Sequence, residues 1–317
     1  MILLYGIPSE PPLRLVTEAV RRMGVPHVFL NQRRSVSGSL RLDVSEPALS
    51  GRLEMDGQTV DLVEVTGVYA RPMDDTLLPE LRREPANSRL RIEVRALHQL
   101  LFAWTEVAPG MVINRPSAMV SNGCKPYQAR LISEAGIEVP TTLVTNDPRE
   151  VLDFRHRFGR IIFKSISGAR SIVREFREED RSRLHHLKTC PVQFQEWIDG
   201  DDVRVHVVGD QVFAVLAQSE ATDYRYAGRF GADLRMSPLE LPPSFASRCI
   251  ELSQRLGLTF SGIDFKRTPD GRFVCFEVNP CPAFSFYEEH TGQPIAAAVA
   301  ELLAQPLKLP CTPAITR

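Results

Sequence analysis

Gly262-Ile263-Asp264-Phe265-Lys266, Thr268-Pro269-Asp270-Gly271 and Phe273-Val274-Cys275-Phe276-Glu277-Val278-Asn279-Pro280 follow one another near the C-terminal end of the chain. Two apolar, β-branched and aromatic runs flank a Pro-Asp-Gly turn, which predicts a β-hairpin. A turn centred on Pro269 and Asp270 sets Asp264 opposite Cys275. Side chains alternate along a strand, so Cys275, Glu277 and Asn279 are expected on one face, joined there by Asp264. Two ionised carboxylates side by side repel unless a cation lies between them. Oxygen-only ligands suit a hard cation, magnesium with manganese as the alternative. Magnesium usually reaches a protein through one or two carboxylates and a substrate's phosphates, so the hairpin reads as a magnesium-nucleotide site.

Both acids also fit the solvent side of an ordinary amphipathic hairpin. Two features weigh against that. Phe265, Val274, Phe276 and Val278 are expected to make the opposite face apolar, and Asn279-Pro280-Cys281-Pro282 ends the strand abruptly in a rigid loop.

The composition frames this site. The chain has 317 residues, 43% hydrophobic and 24% charged, with net charge -1. That is an ordinary globular balance with length for two or three domains, and it predicts no attraction to nucleic acid or membranes. Cys124, Cys190, Cys249, Cys275, Cys281 and Cys311 stand singly. They are expected as buried thiols in a reducing cytoplasm rather than as disulfides or metal ligands.

Going back to the start, Ile2–Tyr5 reads as a strand. Leu13, Val16, Val20 and Met23 mark a helix stopped by Gly24, and Val28–Leu30 is a second strand. Residues 38–66 are hairpin-like around Asp56-Gly57, and Gly67–Pro72 is a strand carrying Arg71. Leu90, Val94, Leu97 and Leu101 give a helix over 87–107. Its Arg89, Arg91 and Arg95, with Arg82 and Arg83 before them, read as a solvated face or as a docking surface for an acidic partner. Asn114-Arg115-Pro116 closes this first region. Beyond it, a helix from Lys125, a strand over 137–144 interrupted by Pro140, a helix capped by Asn146-Asp147-Pro148, and strands at 161–164 and 192–198 follow. Residues 178–188 form a charged helix, and Gly209-Asp210 turns a hairpin between 203–208 and 211–217. Helices are expected over 245–256 and 294–303.

A nucleotide site needs cationic side chains on the phosphates, a cover and an adenine slot. Lys164 at a strand end and Lys125 at a helix start can meet phosphates. Ser165–Ser171, which includes Ser167 and Gly168, is the candidate cover. Glu196-Trp197-Ile198 can pair with the adenine edge, and Asp202 with ribose hydroxyls. Each residue has a plainer reading: Lys164 as a strand-end lysine reaching for solvent, Asp202 as a turn residue, Trp197 as core.

Their order along the chain resembles the ATP-grasp superfamily over about residues 114–304. Within it the chain resembles the RimK-type ligases and the graspetide ligases, which build side-chain ester and amide cross-links. The second likeness rests on Val139–Pro148, Phe194-Gln195-Glu196, Val207–Asp210, Thr268–Arg272 and Thr291–Ala296. The loop after Lys164 has one glycine where RimK-type ligases have several, which favours the graspetide side. Tyr69-Ala70-Arg71-Pro72 departs from the aromatic and paired arginines expected there.

The resemblance implies an α/β protein. A pre-ATP-grasp open-sheet domain (1–115) would precede a small central subdomain (116–195) and a C-terminal subdomain (196–317) with the metal hairpin. Asp264, Glu277 and Asn279 would hold two magnesium ions, and Lys125 and Lys164 would hold phosphates. Glu196, Trp197 and Ile198 would frame adenine, Asp202 would meet ribose, and Arg225 would approach the γ-phosphate. Arg204 and Arg229 would face the tetrahedral oxyanion. The implied activity joins a carboxylate to an amine or hydroxyl with release of ADP and phosphate, on a peptide or amino-acid side chain such as a precursor peptide's. Free amino acids or a small metabolite are the alternative substrates. A non-catalytic nucleotide-binding regulator is a third reading, and a homodimer is left open.

Overall fold

The computed structural model describes residues 1–44, 50–166, 173–219 and 233–305. They form two compact units, Met1–Ser117 with the C-terminal helix from Ala296, and Ala118–Ile295.

The first unit opens with β1 (Ile2–Gly6), α1 (Pro11–Arg22) and β2 (His27–Asn31), then β3 (Ser39–Asp43), β4 (Ser50–Met55), β5 (Gln58–Asp61), β6 (Gly67–Arg71), α2 (Arg89–Val107) and β7 (Met111–Ile113). β1, β2, β6 and β7 make a parallel sheet in the order β2-β1-β6-β7. All five residues of β1 are buried, as befits a parallel strand covered on both faces. The hairpin-like region is a separate antiparallel sheet, β3-β4-β5. Its β4–β5 turn needs positive φ at both central residues, which Asp56 and Gly57 adopt at 56° and 71°. α2 starts where the Ser88 hydroxyl accepts from the Arg91 N–H at 3.3 Å. Its Leu97, Leu101 and Trp104 pack with Leu3 and Tyr5 of β1, Val68 of β6, and Leu53 and Val60 of the small sheet. Two of the arginines on its other side are solvated, Arg89 paired with Glu93 and Arg95 with Asp75, while Arg91 is half-buried and donates to the Leu81 carbonyl at 3.1 Å. Arg71 is nearly buried and bonds Glu10 at 2.8 Å, joining the end of β6 to the residue that caps α1.

The second unit holds α3 (Pro116–Met119, shared with the boundary), α4 (Lys125–Glu134), β8 (Thr142–Thr145), α5 (Pro148–Phe158), β9 (Ile161–Ser165), β10 (Arg174–Glu175), β11 (Val192–Glu196), β12 (Asp201–Val208), β13 (Gln211–Ser219), β14 (Leu234–Leu239), α6 (Pro243–Arg255), β15 (Phe260–Arg267), β16 (Phe273–Asn279) and α7 (Ser285–Thr291). α8 (Ile295–Ala304) ends the described chain. Two antiparallel sheets result, β10-β9-β11-β8 and β14-β13-β12-β15-β16. The smaller packs Ile161, Phe194 and Phe163 against Val151 of α5 and against Leu184 and Leu187. The larger packs Val203, Val205, Ile263, Phe265, Cys275 and Val278 against α6 and α4.

Several sequence expectations are corrected. Residues 178–188 wind as a 3₁₀ helix, Glu178–Thr189. Their two buried residues, Leu184 and Leu187, stand three apart, which aligns them in a three-residue turn. The strand expected over 137–144 is ladder-paired only at Thr142–Thr145, because Pro140 breaks it and Glu138 keeps a lone bridge to Val274. The five described cysteines form no disulfide, yet Cys124, Cys190 and Cys281 are exposed and only Cys249 and Cys275 are buried. Among the described residues, no helix is long and apolar enough to cross a membrane.

The Leu101 side chain sits at the centre of the first unit's core, 1% exposed. Replacing it with alanine is expected to cost about 2–5 kcal/mol, read as a lower urea midpoint. A loss under about 1 kcal/mol would contradict the packing described.

Candidate active site

The hairpin read from the sequence is β15–β16, but its register differs. Gly262 faces Asn279, Ile263 faces Val278 and Asp264 faces Glu277; the pairing then slips, so Phe265 faces Cys275. Phe276 is the extra residue of a β-bulge. One inserted residue reverses which face every later side chain takes. That is why Cys275 lies in the apolar core instead of beside Glu277, and why Asp264 meets Glu277 directly. Burial raises the Cys275 thiol well above its ordinary range, so it stays protonated. Asp264, Glu277 and Asn279 do share the polar face. Among the described residues no three His, Cys, Asp or Glu side chains gather as a metal site; the set here is two carboxylates and an amide.

The neighbouring strand supplies the counter-charge. Arg204 of β12 lies across from Asp264, 5% exposed, and its Nη1 donates to Asp264 Oδ1 at 2.6 Å. Its Nε donates to His206 Nε2 at 3.3 Å. An arginine only donates, so Nε2 is the accepting nitrogen and the ring proton is on Nδ1. His206 is fully buried, and both burial and the Arg204 charge push its pKa well below the usual range. Tyr287 of α7 covers the pair, its ring 5.0 Å from the His206 ring and 5.6 Å from the guanidinium. Gly262 leaves room for Arg204: a Cβ there would collide with the guanidinium and with Pro282. Asn279 Oδ1 accepts from the Cys281 N–H at 2.9 Å, which fixes the amide.

Lys125 is the first residue of α4. Lys164 lies on β9, 6% exposed, on the face opposite the sheet's apolar core and across from Gln193. It is therefore an inward lysine, not one reaching for solvent. Glu196 ends β11; its N–H donates to the Thr141 carbonyl and its carboxylate accepts from the Thr141 N–H at 2.6 Å. Trp197 is only partly buried. Its Nε1 donates to Asp199, its backbone N–H donates to Arg160, and the Arg160 guanidinium stacks 3.8 Å from its ring. No described residue accepts from the Ile198 N–H. Asp202 belongs to strand β12, not a turn, and pairs with Lys266 at 3.1 Å. Ser167, Gly168, Arg225 and Arg229 lie outside the described residues.

Sequence reasoning missed four contributors. His206 follows Arg204 by two residues, so strand alternation puts both on one face. Gln193 and Gln195 share the Lys164 face; both are buried, and neither side-chain oxygen has a hydrogen-bond partner. Gln128, one turn beyond Lys125, bonds the backbone of Val278 at 2.7 and 3.0 Å. The signals were spacings of two and three for His206 and Gln128 from Arg204 and Lys125, and strand alternation for Gln193 and Gln195.

A RimK-like ATP-grasp domain model matches residues 124–303. The chain is 27% identical over 185 residues to the probable alpha-L-glutamate ligase 2 of Shewanella amazonensis, a match covering 55% of this chain and 60% of that one. The chain therefore spans about 60% of the length of that curated relative. Among solved structures, the ATP-grasp ligase PsnB with a minimal precursor aligns at TM-score 0.78 and 28% identity, covering 95% of this chain and 97% of that one. The same ligase with minimal precursor, Mg and ADP gives 0.76 at 27%, covering 95% and 96%. The macrocyclase MdnC of Microcystis aeruginosa, bound to its precursor peptide MdnA, aligns at 0.80 and 24%, covering 96% and 99%, a likeness of fold.

The buried histidine makes stability depend on pH. Because its folded pKa lies below the unfolded value near 6.5, the unfolded chain binds the extra proton; stability is full above that value and falls as the pH drops below it. In urea titrations at pH 7 and 5, His206→Met should lose less stability than the parent chain, by at most about 1.4 kcal/mol per pH unit. Equal losses would show that His206 is not held neutral.

Proposed function

The chain belongs to the RimK-like ATP-grasp family, and from that premise we propose that it is an ATP- and magnesium-dependent carboxylate ligase. The proposed substrate is a peptide or amino-acid side chain. The observation that carries the reading is Asp264 facing Glu277 across one ladder, with Asn279 on the same face. A carboxylate oxygen of the donor attacks the γ-phosphorus of ATP, and ADP leaves with the bridging oxygen. The acyl phosphate is then attacked by an amine or hydroxyl, and phosphate departs.

The donor set fits magnesium: three hard oxygen groups, two of them anionic and brought to direct opposition. Asp264, Glu277 and Asn279 would hold it, as two ions; when bound, the metal would neutralise phosphate charge. Arg204, by gripping Asp264 Oδ1, orients that carboxylate. Lys125 and Lys164 neutralise the phosphates from a helix start and an inward strand position. Ser167 and Gly168 cover them. The Ile198 N–H, with Glu196 and Trp197, meets the adenine edge, and Asp202 meets the ribose. Arg225 and Arg229 would spread charge on the transferring phosphoryl group and the oxyanion, while Arg204, held between Asp264 and His206, would act through Asp264.

The likeness to PsnB, which is described with a precursor, Mg and ADP, supports the peptide substrate, the cation and the nucleotide. The alpha-L-glutamate ligase relative favours a second reading, in which a free amino acid takes part.

Two expected outcomes test this. With magnesium and ATP, short acidic peptides should release ADP and, with hydroxylamine present, yield hydroxamate. The same signal with free amino acids alone would select the second reading, and AMP in place of ADP would exclude an acyl phosphate. Glu277→Ala should bind nucleotide weakly and lose turnover at least about a hundredfold; normal turnover would remove Glu277 from the metal set.

A further inference from the structure

β16, which carries Glu277 and Asn279, is the edge strand of its sheet. Its inner side pairs with β15, so the outward backbone groups need partners elsewhere. Val278, between the two proposed ligands, finds both of its partners in one side chain. The Gln128 Nε2 donates to the Val278 carbonyl at 2.7 Å, and the Val278 N–H donates to Gln128 Oε1 at 3.0 Å. Gln128 is 3% exposed. Only a primary amide of this reach offers a donor and an acceptor side by side. A neighbouring anchor, the Cys275 N–H donating to the Glu138 carbonyl, holds the same edge just before the bulge.

Gln128 sits three residues after Lys125, one turn along α4 and on the same side of that helix. The helix that presents the proposed phosphate lysine is thereby pinned to the strand that presents the proposed cation ligands. A lysine and a cation that grip one polyphosphate must keep a fixed spacing, and this amide is a direct tie between the elements that set it.

We propose that Gln128 is a positioning residue for the magnesium-nucleotide site: its paired hydrogen bonds to Val278 set where Glu277 and Asn279 stand relative to Lys125. This rests on the ligase reading above. Asn279 is already fixed on its other side by the Cys281 N–H, so a shift at Val278 moves both ligands together instead of being absorbed by the loop.

The test measures ADP binding to the full chain by calorimetry, with saturating magnesium and with EDTA, alongside thermal unfolding. Gln128→Met keeps length and apolar bulk and removes both hydrogen bonds. The magnesium-dependent gain in ADP affinity should shrink about 10- to 100-fold, the usual effect of losing a group that orients a metal ligand. ADP affinity in EDTA should be unchanged. Gln128→Glu, which can still accept from the Val278 N–H, should fall between the two, and it carries the comparison if the methionine chain does not fold. An equal loss with and without magnesium, or an unchanged magnesium gain in a folded variant, would overturn the positioning role while leaving the nucleotide site standing. A parent chain that binds ADP no better with magnesium than with EDTA would overturn the site itself.

Discussion

Two carboxylates face each other across adjacent strands, and the second unit is arranged around making that tolerable. Cross-strand neighbours stand roughly 5 Å apart at their Cβ atoms, close enough for two like charges to repel. A solvated pair would relax by turning apart. Here Asp264 cannot, because Arg204 is sequestered behind it and donates to it. Arg204 is held in turn by a neutral histidine, an aromatic cover and a glycine that clears its path. One positive charge offsets one of the two negative charges, and the proposed cation would answer the other.

The larger sheet serves this by using its two faces differently. Val203, Val205, Ile263, Phe265 and Val278 bury one face against α4 and α6, and that burial supplies the stability. The alternate residues of the same strands are then available for chemistry. The bulge at Phe276 reconciles the two demands: it keeps Cys275 in the core while Glu277 turns to the polar face. The smaller sheet repeats the division, with Phe163 and Phe194 on its core side and Lys164, Gln193 and Gln195 on the other.

The first unit was legible because its signals are local. Alternation, helical spacing, caps and the Asp56-Gly57 turn each involve residues within a few positions, and β1, α1, β2 and α2 formed where the periodicity put them. The 3₁₀ geometry of 178–189 and the start of the strand at Thr142 were only partly legible, although the Leu184–Leu187 spacing and Pro140 that accompany them are local. In the site, Asp264, Glu277 and Asn279 were readable as a group, whereas their register was not. The turn itself pairs Arg267 with Phe273, one residue from the expected register, and the bulge at Phe276, which no local pattern marked, adds a second.

The sequence by itself determined the α/β class, the hairpin, and the residue types proposed to hold a hard cation and a polyphosphate, because these depend on composition and on spacing along the chain. Tertiary structure alone decided that Asp264 meets Glu277, that Arg204 and His206 stand behind them, and that Gln128 clamps the strand from 150 residues away. The Gln128 and Arg204 contacts join segments remote in sequence, and the facing of Asp264 and Glu277 depends on a bulge that no local pattern marks.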